Sequence, residues 1–157
     1  YRNATTAPYT EQVYLGGANS VRAFSARSIG PGGYPPETDR KYTYINHVGD
    51  IRIEANIEYR FRMIADLHGA VFLDAGNVWL MRKDENRPNG EFTLKNFPKQ
   101  IALGPGFGLR YDLDFLVFRL DLGIGLHDPY DTGKSGYYNI PKFKDSMALH
   151  FAIGYPF

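Results

Sequence analysis

The side chains in this sequence that could do chemistry are its arginines, its carboxylates and four histidines, His47, His68, His127 and His150; there is no cysteine. The histidines fall at no paired ligand spacing, and without a thiolate neither a cysteine zinc site nor a redox pair can be built, so no metal and no cofactor is expected. No Ser/His/Asp arrangement stands out, and no catalytic residue is assigned: the chain reads as a non-enzyme. Gly104-Pro105-Gly106-Phe107-Gly108 has the glycine density of a phosphate-binding loop. It lies inside an alternating segment with no helix after it, so the context such a loop needs is missing. Its glycines read instead as relieving crowding on a strand. Asp128, Asp131 and Asp145 read as a solvated loop. What remains is non-covalent chemistry. One arginine, Arg22, sits in the glycine-bearing stretch Tyr14-Leu15-Gly16-Gly17-Ala18-Asn19-Ser20-Val21-Arg22-Ala23-Phe24. A guanidinium offers a rigid fork of donors that suits carboxylates.

The elements that must position this arginine are strands. From Asp50 to Met63 the even positions are Asp50, Arg52, Glu54, Asn56, Glu58, Arg60 and Arg62, and the odd positions are Ile51, Ile53, Ala55, Ile57, Tyr59, Phe61 and Met63. Successive side chains of a strand point to opposite faces, so this segment has one wet face and one oily face. The same period predicts strands over about 49–63, 67–80, 100–111, 115–126 and 146–157, with a short strand around Glu11 to Leu15. The connections at Ile64-Ala65-Asp66 and Asp112-Leu113-Asp114 are tight, whereas those at 25–48, 81–99 and 127–145 are long and rich in Gly, Pro, Asn and charge. Outer-membrane barrels show this asymmetry of short turns and long outside loops. Aromatic residues make up 15% of the chain, which suits strand ends at a membrane interface. No apolar run reaches the ~18 residues of a transmembrane helix. A net charge of +1 does not suggest a nucleic-acid partner. Five or six strands cannot close a transmembrane barrel, for which roughly eight is the smallest common number. The chain lacks an initial Met and a basic-then-apolar leader, and is read as a processed or partial chain, the tail of a larger barrel.

Together with the terminal Phe157, these residues resemble the C-terminal part of the BamA/TamA family of outer-membrane barrels over nearly the whole chain. That family carries a Val-Arg-Gly-Phe motif on a long loop folded into the lumen. Here, after Gly16 and Gly17, it reads Val21-Arg22-Ala23-Phe24, with Ala23 in place of the glycine. Were positive φ needed at that position, alanine would be strained there. The resemblance implies that Arg22 meets Glu58, in Ile57-Glu58-Tyr59, and Asp74, in Asp74-Ala75-Gly76-Asn77-Val78-Trp79. Glu54, Arg60, Arg62, Arg119 and Asp121 are expected to be plain solvated lumen charges. Phe151, Ile153, Tyr155 and Phe157 resemble the terminal sorting signal of bacterial outer-membrane barrels, on a strand that in this family also forms a weak lateral seam. Gly154 and Pro156 would weaken its ladder.

The resemblance implies an all-β fold: the C-terminal five to six antiparallel strands of a transmembrane barrel of about sixteen, with residues 16–48 as the inward-folding loop. It implies an assembly or translocation factor of the bacterial surface antigen kind, in the outer membrane. Its partners would be outer-membrane lipid, client outer-membrane proteins and periplasmic or inner-membrane assembly proteins. The residues around Gly49-Asp50 and Ile153-Gly154-Tyr155-Pro156-Phe157 resemble TamA-like members of the Bacteroidetes type. The alternatives are a two-partner secretion transporter, which shares the inward arginine loop, and the anchoring barrel of a surface enzyme.

Overall fold

Alternation of apolar and polar residues produces one antiparallel sheet. The computed structural model describes residues 11–35, 47–140 and 143–154; Tyr155, Pro156 and Phe157, and part of the long loop, lie outside them. The strands are β1 (Ile51–Ile64), β2 (Leu67–Trp79), β3 (Ala102–Asp112), β4 (Val117–Ile124) and β5 (Met147–Gly154). They pair in chain order, each with the next. Among the described residues no helix is long and apolar enough to cross a membrane; the sheet itself is the fold.

Register decides which side chains share a face. Asn56 pairs with Asp74 and Glu58 with Phe72. Asp74 pairs with Gly104 and Ala70 with Gly108. Gly108 pairs with Asp121 and Gly106 with Gly123. Asp121 pairs with His150. One face therefore carries the charged and polar residues and the glycines, with Ala70 and Phe72 among them. The other carries Ile57, Leu73, Phe107, Leu120, Leu149 and Phe151, and is open: Ile57 is 70% exposed and Phe151 64%. The buried cluster lies on the polar side instead, where Leu15, Val21 and Ile29 of the loop meet Val78 and Ala102. A water-soluble sheet would be organised the other way round, since leaving large apolar side chains in water costs roughly 1.5–3 kcal/mol each. An oily outer face and a polar inner one suit strands whose solvent is lipid on one side.

Several element ends differ from the sequence expectation. β4 begins at Val117 rather than 115, because Asp114 takes φ 55° and turns the chain first. A 3-10 turn at Phe143–Ser146 delays β5 to Met147. Residues 11–15 form a single bridge, Val13 with Gly49, because Gly16 and Gly17 take φ 98° and 97° and turn the chain away.

Candidate functional site

The site is the loop after Val13 and the socket that receives it. The two left-handed glycines bend the chain, and a Cβ on Gly16 would overlap the Ser25 carbonyl. Only glycine occupies such a backbone without strain. Gly17 N–H then donates to Phe24 O at 2.8 Å, Phe24 N–H to Val21 O at 3.1 Å, and Gly16 N–H to Ser20 Oγ at 3.2 Å. The loop is thus closed on itself, with Arg22 and Ala23 at its tip. Val21 and Phe24, on either side, pack into the apolar cluster. Among the described residues, the non-glycine ones with positive φ are Arg27, Ala65, Asn89 and Asp114; Ala23 is not among them and bears no such strain. What its position demands is small size. A Cβ on Gly104 would overlap the Ala23 Cβ, and a Cβ on Gly123 would lie 2.6 Å from Ala23 N and Arg22 O.

Arg22 is anchored on every side. Its backbone N–H donates to Asp74 Oδ2 at 3.0 Å, its Nε to the same oxygen at 2.8 Å, and its Nη2 to Asp74 Oδ1 at 2.9 Å. Nη1 is bonded to Glu58. The guanidinium carbon lies 3.5 Å from the centre of the Phe72 ring, a cation–π contact strengthened where water is excluded. Phe72 fits because Gly106, its register partner, has no side chain. Asn56 Nδ2 donates to Asp74 Oδ1 at 2.9 Å and to Ser20 O at 3.1 Å, joining β1, β2 and the loop.

A second tier extends the network to β3 and β4. Arg110 bonds Asp121 through Nη1, and its Nη2 lies 3.3 Å from Glu58. Arg119 Nε lies 3.1 Å from Asp121 Oδ2, and its Nη2 donates to Ala18 O at 2.7 Å and Asn19 Oδ1 at 2.6 Å. Gly108 leaves the space in which Arg110 and Asp121 meet. Asp74 and Asp121 are fully buried, and Arg22 and Arg110 nearly so. Removing one partner of such a buried pair costs on the order of 3–5 kcal/mol, because the other charge is left unpaired in a dry place.

The structure thus brings Gly16, Gly17, Val21, Arg22, Ala23, Phe24, Glu58 and Asp74 together. Phe151 and Ile153 lie apart, on the exposed apolar face of β5. A side chain at Gly154 would meet open space, so no contact requires glycine there. Arg119 and Asp121 are not the plain solvated charges expected: β4 register places them under the loop tip. Glu54 pairs with Arg52 and Arg60 with Glu58, both at exposed arginines. Sequence reasoning missed Asn56, Phe72, Arg110 and His150. Their shared face was visible in the alternation, and the glycine run at 104–108 marked the socket; the register that sets which residues lie opposite one another was not visible. Among the described residues no group of three His, Asp or Glu is placed to hold a metal.

Farther out, the loop between β4 and β5 carries a buried acid, Asp128, and a half-buried phenol, Tyr130. Burial pushes the Asp128 carboxyl above its ordinary range, with the His127 charge and the Tyr130 hydroxyl acting in the opposite sense. Burial, and then the Asp128 charge, push the Tyr130 hydroxyl up as well. Asn139 grips the backbone here: its Oδ1 accepts Asp128 N–H at 2.7 Å and its Nδ2 donates to Asp128 O at 2.8 Å. Asp128 is therefore part of a folded loop rather than a solvated one.

The family model described as the Omp85 superfamily domain matches residues 1–157, the full length of the sequence. No curated protein matches it.

Proposed function

The chain belongs to the Omp85 superfamily, and from that premise we propose that it is the loop-bearing part of an outer-membrane barrel that assembles outer-membrane proteins, of the BamA/TamA kind and TamA-like within it. Omp85 proteins are outer-membrane β-barrels that insert or translocate other proteins. The observation that carries the reading is the Arg22 loop, locked against the polar face of the sheet by Asp74 and Glu58. Such a lock holds the interior of the barrel while the outer backbone groups of its edge strands stay available for pairing.

The sheet has two edges, β1 and β5. Unpaired N–H and C=O groups in lipid cost several kcal/mol each, so further strands of one larger barrel of about sixteen must flank this segment. In this reading the described part of the 16–48 stretch folds inward, the apolar face meets outer-membrane lipid, and the β5 edge offers a template for an incoming client strand. Periplasmic or inner-membrane proteins would deliver those clients.

Replacing Arg22 with Ala in a strain that depends on this protein tests the assignment. At normal levels of the variant, many assembled outer-membrane proteins should fall together. Normal client levels and growth would contradict the role given to Arg22, and loss of a single exported protein with clients intact would point to a dedicated transporter instead.

A further inference from the structure

His150 lies at the middle of β5, opposite Asp121, with its ring on the polar face. Its Nε2 is 2.8 Å from the carbonyl oxygen of Arg22. A carbonyl only accepts, so Nε2 carries the hydrogen and His150 donates. The neighbours of His150 on this face of β5 are Ala148, Ala152 and Gly154, none long enough to cross to the loop with a polar group. Packing does not make the connection nearby either: a cavity of about 380 Å³ is bordered by Ala23, Phe24, Ser25 and Ser28 on one side and by Met147 and Ala148 on the other. Gly123 of β4, between them, has no side chain, and that gap lets the Arg22 carbonyl approach.

Arg22 is therefore held from both ends of the sheet. Its side chain is gripped by β1 and β2 through Glu58 and Asp74, and its carbonyl by β5 through His150. We propose that His150 is a positioning residue that latches β5 to the arginine loop, so that docking of the loop and order of β5 rise and fall together. β5 has eight residues and pairs with β4 alone among the described strands, so the bond at its middle ties it to the loop by a route separate from that ladder. Coupling of this kind is reciprocal: docking of the loop favours order in β5 by the same factor as order in β5 favours docking. The inference rests on geometry and holds whichever cargo the barrel handles.

Hydrogen exchange on the full-length protein in lipid nanodiscs tests it, with heat-modifiable migration as the check that each variant folds. His150→Ala and the ring-sized His150→Phe, which has no donor, should speed exchange about two- to tenfold in both 147–154 and 20–24, the worth of one net hydrogen bond. His150→Gln, whose amide nitrogen reaches a similar place, should restore both segments, and β2 should be unchanged throughout. Faster exchange in β5 alone, no change in either segment, or a Gln variant that behaves like Ala would overturn the latch. Arg22→Lys gives an independent reading should the first two variants not fold: β5 must loosen whenever the loop does, and a loosened loop beside an unchanged β5 would also overturn it.

Discussion

Arg22 owes its place to residues that are mostly absence. Gly104, Gly106, Gly108 and Gly123 each leave out a Cβ where Ala23, the Phe72 ring, the Arg110–Asp121 pair and the Arg22 carbonyl come in. The loop tip and the socket are matched in size, and that match can be broken and mended. Gly104→Ala should force the tip off the sheet, since its new Cβ overlaps Ala23 Cβ while the next atom of that residue, Cα, lies 3.6 Å away. Adding Ala23→Gly should therefore seat the loop again. Protease sensitivity of residues 16–28 measures both: raised in the single variant, restored in the double. The arginine and its two acids were legible from the motif and the wet-face parity of β1 and β2. Ala23 was legible only as a departure from glycine; its demand is for smallness rather than for a left-handed backbone, and that required seeing Gly104 and Gly123 beneath it.

At the scale of elements, period-2 alternation was enough to place all five strands, because a half-wet strand leaves that signature in any surroundings. Their ends were less legible. Asp114 turns the chain early, and Phe143–Ser146 winds into a 3-10 turn before β5 starts, neither of which alternation records. The Arg110–Asp121 tier was hidden for another reason, since it arises from β3–β4 register. The long loop between β4 and β5 looked like solvated acid and is instead folded around Asn139, Asp128 and Tyr130. Its pH response follows in sign. For Asp128 the folded pKa is raised above 3.8, so the folded loop binds the proton more tightly than the unfolded one. Ionisation then penalises the fold, and stability falls as pH rises through this window; none of that penalty is present below the unfolded pKa. Exchange in 127–140, corrected for its intrinsic pH dependence, should slow as pH is lowered from neutral into the acid range. Asp128→Asn should flatten that dependence; an unaltered slope would remove Asp128 as its source.

The whole molecule is a sheet turned inside out relative to a soluble one, with its apolar face open and its packed cluster under the inner loop. That inversion is what a membrane barrel segment requires, and it makes the loop the interior of the protein. Beside the small apolar cluster of Leu15, Val21, Ile29, Val78 and Ala102, the sheet holds the loop by buried charge pairs. Buried ion pairs give little net stability against apolar replacements, but they are intolerant of losing one partner; they fix one arrangement more than they strengthen it. In the proposed function the contact of Arg22 with Asp74 sets the docked loop on which assembly depends. A double-mutant cycle of Arg22→Ala and Asp74→Ala, read as assembled outer-membrane client protein at matched levels of each variant, tests it most directly. Each single change should lower client assembly, and the double variant should be no worse than the more severe single one, because both remove the same contact. Losses that simply add would mean that the two residues act separately, and would contradict it.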